Sequence, residues 1–169
     1  MSIPKYFLPK PQEIRFKRPV PAEFPVTCKF GAIRSVGSAW HIDPETNLWV
    51  RGALPDGSVQ HKGTDWGCPD GTPVVSPCRG LIVRAGWENP DNIKQGFGMR
   101  IRLLVMEPGF DSWELVLAHL SYIYKWAGDK VQAGDRLALS GNTGSTTGPH
   151  LHTEFIDLRK QYRDVPLEA

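Results

Sequence analysis

Phe97-Gly-Met-Arg-Ile-Arg-Leu-Leu-Val-Met106 and Trp113-Glu-Leu-Val-Leu-Ala-His119 are joined across Glu107-Pro-Gly-Phe-Asp111. The first run mostly alternates apolar with polar side chains, the period of a strand with one buried face. Pro-Gly in the connection suits a turn that sends the second run back beside the first. The pair reads as a long antiparallel hairpin. Further strands are expected at Val26-Thr-Cys-Lys-Phe-Gly-Ala-Ile33, Leu81-Ile-Val-Arg-Ala85, Leu137-Ala-Leu139 and His150 to Asp157. Gly 17 and Pro 15 make up nearly a fifth of the chain and would interrupt long helices. The fold class expected is therefore all-β, built of antiparallel sheets.

With 169 residues the chain is long enough for one domain with a real core. Hydrophobic residues are 40% and charged residues 22%, with a net charge of only +2. So small a positive balance, with no basic helix or aromatic-spaced Lys/Arg patch, argues against a nucleic-acid partner. No apolar run approaches the ~20 residues that cross a bilayer as a helix. Met1 to Lys10 lacks the uninterrupted apolar core of a secretory signal. The expectation is synthesis in the cytoplasm without an export signal.

Residues 1–25 carry prolines at 4, 9, 11, 19, 21 and 25, so they read as a proline-rich extended arm. Tyr6, Phe7, Ile14 and Phe16 are expected to pack it onto the domain at 26–157, and 158–169 form a polar tail. Long loops at about 35–60 and 87–96 are candidate groove walls. Asp70-Gly-Thr-Pro-Val74 leading to Gly80-Leu-Ile-Val83 is echoed by Gly128-Asp-Lys-Val131 leading to Gly134-Asp-Arg-Leu137, which reads as shared turn chemistry. Cys28, Cys68 and Cys78 are odd in number and lack metal-ribbon spacing. They read as small reduced residues, although Cys68 and Cys78 could pair in an oxidising compartment.

Chemistry concentrates in the histidines. In His150-Leu-His152 an extended backbone puts both imidazoles on one face. His61-Lys-Gly-Thr-Asp65 places a nitrogen and an oxygen ligand four positions apart, a spacing that puts both on one face of a strand, and Gly63 with the turn residues after Asp65 argues for strand or loop. His61, Asp65 and His152 together are two nitrogens and one carboxylate oxygen, a set that suits catalytic zinc with its fourth position open to water. Each motif alone is weak, because a surface histidine beside a turn aspartate is common. His119 and His150 are left for acid/base work near neutral pH. His41, in Trp40-His-Ile-Asp43, reads as surface or groove wall.

These motifs occur in an order that resembles the lysostaphin/LytM-like zinc endopeptidases of bacterial peptidoglycan. The matching segments are Phe30-Gly-Ala-Ile-Arg34, His61 to Asp65, Gly71-Thr-Pro-Val74, Gly80 to Val83, Ala118-His-Leu-Ser121, Gly128 to Gly134, and Gly141-Asn-Thr-Gly-Ser-Thr-Thr-Gly-Pro-His-Leu-His152. They span roughly 26–157. The resemblance implies one Zn2+ per chain on His61, Asp65 and His152, with His119 and His150 catalytic. It also implies a barrel-sandwich-type core with the zinc on the floor of a loop-walled groove. Asn142, Thr143, Ser145 and Thr146, in the loop 141–148, would meet the substrate. Peptidoglycan stem and cross-bridge peptides are the implied partners of a monomer acting at the cell wall, in keeping with a phage or prophage lysin. Leu117 and Thr153 depart from the family pattern and bear on substrate fit. A non-catalytic regulator of another wall hydrolase is the alternative reading, and a small-molecule carrier module is a third that leaves His61 and Asp65 unexplained.

Overall fold

A computed structural model describes residues 16–30, 32–34, 39–42, 49–52 and 59–159. All regular elements among them are strands: β1 (Val26–Cys28), β2 (Ile33–Arg34), β3 (Ala39–Ile42), β4 (Trp49–Gly52), β5 (Val59–Gln60), β6 (Thr64–Trp66), β7 (Pro73–Val75), β8 (Gly80–Trp87), β9 (Met99–Val105), β10 (Trp113–Ile123), β11 (Lys130–Val131), β12 (Arg136–Ser140) and β13 (Leu151–Asp157). The fold is all-β and every pairing among the described strands is antiparallel. No helix among the described residues is long and apolar enough to cross a membrane.

The expected hairpin is the middle of the main sheet, whose order is β1-β6-β13-β10-β9-β8-β11, with β12 joined to β10 and β7. Leu115 faces Leu103 and Leu117 faces Ile101 across it. All four side chains are fully buried, as are Trp66, Val74, Ile82, Leu120, Leu137 and Leu151. That apolar layer is the main stabilising burial, each large side chain contributing about 1.5–3 kcal/mol. The two echoed units turn out to be structurally coupled. The first strand of each, β7 and β11, pairs with the second strand of the other, β12 and β8.

Part of the arm lies against the domain. Phe16 stacks on Phe110 and Phe155 at 5.2 and 4.8 Å, Val20 is buried, and Val75 N–H donates to Pro19 O. Tyr6, Phe7 and Ile14 lie outside the described residues, as do the side chain of His41 and residues 160–169.

Three differences from the expected strands have physical reasons. The run 26–33 is not one strand, because Ala32 N–H closes a turn onto Lys29 O and separates β1 from β2. The segment 35–60, expected as a loop, contains the β3–β4 hairpin and β5, runs too short to stand out among their turn residues. The strand expected to end at His119 continues to Ile123, past a bulge that changes its partner. Leu117 and Thr153 belong to the core. Leu117 is fully buried, and the Thr153 hydroxyl takes the Trp66 indole N–H at 2.9 Å and donates to Thr64 O.

β6 and β13 approach so closely that Gly63 has no room for a side chain. A Cβ there would lie 2.3 Å from Thr153 O and 2.6 Å from His152 Cε1. Gly71 has open space but a positive φ of 82°. Gly63→Ala should therefore cost about 2–4 kcal/mol through steric displacement, against about 1 kcal/mol for Gly71→Ala through backbone strain alone. Denaturant unfolding of the metal-free protein checks this, and equal losses at the two positions would contradict it.

Candidate metal centre

The site is assembled from strand register. On β13, His152 lies directly opposite Asp65 of β6 on one side and Ala118 of β10 on the other. His61 stands just before β6, its N–H donated to Ala32 O. His61 Nε2, Asp65 Oδ1 and His152 Nδ1 converge: the three separations are 3.2 Å from His61 to His152, 3.2 Å from His61 to Asp65 and 2.8 Å from His152 to Asp65. Ligand atoms about 2.0–2.1 Å from a tetrahedral zinc stand roughly 3.3 Å apart, so this triangle fits one such ion. All three residues are buried.

Every ring is fixed from behind. His61 Nδ1–H donates to Lys29 O at 3.1 Å, which leaves Nε2 facing the triangle. His152 has its Nε2 3.2 Å from Glu154 Oε2, which leaves Nδ1 inward. This is the outer arrangement that orients metal-ligating imidazoles. Burial pushes the Asp65 carboxyl up, but hydrogen bonds and charge from His152 and His61 outweigh it and hold the pKa well below the usual carboxylate range. Burial likewise opposes charge on His152, and its hydrogen bonds to Asp65 and Glu154 prevail, so its pKa is raised.

His119 and His150 face the same space. Their ring centroids are 4.7 Å apart, and His119 is 5.9 Å from His152. His150 Nε2 stands 3.7 Å from Asp65 Oδ1. His119 Nδ1–H donates to Thr143 O at 2.7 Å, and His150 Nδ1–H to Gly148 O at 2.9 Å. Both rings therefore turn their Nε2 away from the backbone and toward the triangle. His119 reaches this position through the bulge in β10, with the only positive φ among described non-glycine residues, 61°. A left-handed backbone at a histidine is strained, by of order 1–3 kcal/mol, and such residues cluster at working sites. Burial first, then the neighbouring charges of His150 and His152, push its pKa down to about 4.

The loop 141–148 is braced rather than open. Thr143 Oγ1 donates to Leu120 O and accepts Met99 N–H, while Ser145 Oγ accepts Gly96 N–H. Thr146 Oγ1 donates to Gly148 O beside His150. Asn142 is exposed. Gly144 N–H and Ser145 N–H bond to Ile93 O and Gly96 O, so this loop and the loop after β8 lock together at the site. Phe97 places its ring 5.7 Å from that of His152.

Two residues at the site went unassigned in the sequence. Glu154 continues the period-two series His150, His152, Glu154, so the strand pattern could have found it. Cys28, whose Sγ lies within 4.8 Å of the ligand atoms of His61 and Asp65, could not be placed from spacing. Cys68 and Cys78 are buried free thiols away from that group, and burial, with the Glu107 charge, pushes the Cys78 thiol up to about 12.

Residues 59–165 match the family model described as Peptidase family M23. The chain is 38% identical over 121 residues to a peptidoglycan DD-endopeptidase, ShyA, of Vibrio cholerae, covering 72% of this chain and 26% of that protein. It is 39% identical over 92 residues to the glycyl-glycine endopeptidase ALE-1 of Staphylococcus capitis, covering 54% of this chain and 23% of that one. The chain thus spans about a quarter of these relatives' length. The catalytic domain of lysostaphin from Staphylococcus simulans superposes with a TM-score of 0.53 at 34% identity, over 63% of this chain and 76% of that domain. With its family match, its all-β topology and its histidine cluster, the chain belongs to peptidase family M23.

Proposed function

We propose that this chain is a zinc-dependent endopeptidase that hydrolyses peptide bonds in peptidoglycan cross-links at the bacterial cell wall. The observation that carries this reading is the triangle of His61, Asp65 and His152 faced by two further imidazoles with inward Nε2 atoms. A structural zinc site would be closed, commonly by thiolates, whereas three N/O ligands leave a position for water and substrate. The name of the Vibrio cholerae relative supports peptidoglycan as the substrate class, and that of ALE-1 supports endopeptidase activity.

His61, Asp65 and His152 would hold one zinc per chain, which when bound polarises a carbonyl and lowers the pKa of its water toward about 7. His119 enters the reaction neutral near pH 7, because burial disfavours its charged form. Its Nε2 is then a proton acceptor fixed in direction by Thr143 O. His150, its ring 4.7 Å from that of His119 and its Nε2 3.7 Å from Asp65 Oδ1, presents a second nitrogen to the same space. A proton taken from the attacking water by this pair is returned to the amide nitrogen as the C–N bond breaks, and the protonated ring offers an N–H to the oxyanion in between. Glu154 orients His152 and takes no part in proton transfer to substrate. Thr143, Ser145 and Thr146 set the loop that carries these contacts, and Asn142, exposed on it, meets the substrate directly.

Mass spectrometry of muropeptides tests the proposal. Zinc-loaded protein should convert cross-linked dimers of defined sacculi to monomers, and chelation should stop it until zinc is restored. Dimers left intact by zinc-loaded protein, on both D-alanyl-linked and glycine-bridged sacculi, would contradict it. Alanine at His61, Asp65 or His152 should abolish bound zinc by metal analysis. His119→Ala and His150→Ala should retain zinc and lose turnover by about 10²–10⁴-fold. Glu154→Gln should weaken zinc affinity by roughly 10–100-fold.

A pH effect follows from His119. Its folded pKa of about 4 lies below the ordinary 6.5, so between those values the unfolded chain binds more protons. The stability contribution is whole above pH 6.5 and is lost as pH falls toward 4, up to about 3 kcal/mol. In metal-free protein, His119→Gln should therefore flatten the rise of unfolding free energy between pH 4 and 6.5. An unchanged slope in urea unfolding would show that another group causes the rise.

A further inference from the structure

The edge strand β1 runs beside β6, and its pairing carries an irregularity. Val26 faces Trp66, but Cys28 faces Asp65, so β1 has one residue more than its partner over this step. Without the bulge Thr27 would oppose Asp65. With it the thiol does, and opposed residues of an antiparallel pair place their side chains on one face. The next residue, Lys29, supplies the carbonyl that holds His61 Nδ1 at 3.1 Å. β1 is thus part of the wall of the metal triangle. The Cys28 Sγ lies within 4.8 Å of ligand atoms of both His61 and Asp65. Around a tetrahedral zinc a sulfur at about 2.3 Å and a nitrogen at about 2.0 Å stand roughly 3.5 Å apart, so a thiol held within 4.8 Å of these residues, now against Lys29 O at 3.9 Å, is in range of the coordination shell.

We propose that Cys28 is a fourth, displaceable metal ligand that closes the site at rest. The inference rests on the metal position proposed above. In this closed state an Sγ–metal bond forms, the S–H bond breaks, and the proton goes to solvent. The shell becomes two imidazoles, one carboxylate and one thiolate, a closed four-ligand set, and the open position that hydrolysis needs is occupied. Cys28 is half-exposed on a three-residue edge strand, so it can leave the shell without disturbing the core. Cys68 and Cys78 are 3% and 2% exposed and do not compete for a reagent in the folded protein.

Cobalt(II), a spectroscopic stand-in for zinc, tests this in the full chain. Titrated into metal-free protein, it should give visible bands of a tetrahedral site in both wild type and Cys28→Ala. A thiolate-to-cobalt charge-transfer band in the near ultraviolet should appear in wild type alone. In parallel, a thiol-specific disulfide reagent should label one cysteine of the metal-free protein rapidly, and metal should slow that labelling by roughly ten-fold or more, because a coordinated thiolate is withheld from exchange. Cys28→Ala should raise the hydrolysis rate. Bound cobalt with no thiolate band, together with labelling indifferent to metal, would overturn the role of Cys28 and leave the three-ligand site standing. Failure of wild type to bind cobalt at all would overturn both.

Discussion

Hydrogen bonds at the backs of four imidazoles are what the rest of the site depends on. Lys29 O, Thr143 O and Gly148 O each accept an Nδ1–H, from His61, His119 and His150, and Glu154 holds the Nε2 of His152. A ring with one nitrogen so engaged has its tautomer and its plane decided, and its other nitrogen becomes a directed lone pair. Four such nitrogens and the Asp65 carboxylate then face one small space. Buried at this density, polar groups without those anchors would each carry a desolvation cost.

The sheet supplies the anchors because its strands are locked in register. Asp65 and His152 are direct cross-strand neighbours, and a slip of one residue between β6 and β13 would turn one of them to the opposite face. Gly63 enforces the close approach of these strands, and the Trp66–Thr153 hydrogen bond closes the other side. The reciprocal pairing of β7 with β12 and β8 with β11 frames β10, from which His119 projects. Loop-to-loop bonds from 93–99 to 143–145 hold the Thr143 carbonyl where His119 needs it. The fold and the chemistry are therefore one set of constraints.

Period-two alternation made much of this readable in the chain. It marked the β9–β10 hairpin, put His150 and His152 on one face, and set His61 and Asp65 at an even spacing. Extended to Glu154, the same rule would have found the carboxylate behind His152. The bulges were not readable. One sits at Ala118–His119 and aims a catalytic candidate by forcing a positive φ. The other sits at Thr27 and exchanges a hydroxyl for the Cys28 thiol opposite Asp65. Both arise from long-range pairing, and a local pattern carries no trace of it. For the same reason Leu117 and Thr153, which look like substrate-side departures in the sequence, are core residues whose neighbours lie far along the chain.

The convergence of His61, Asp65 and His152 on one ion is the claim from which the rest follows, and X-ray absorption at the zinc edge measures it most directly. Protein loaded with one zinc per chain should show nitrogen and oxygen neighbours at about 2.0–2.2 Å, with one sulfur at about 2.3 Å from Cys28 in the resting site, and outer-shell scattering from two imidazole rings. The imidazole signal should fall by half in His152→Ala protein forced to bind at high zinc. A shell without imidazole scattering, or a spectrum unchanged by that substitution, would contradict the account.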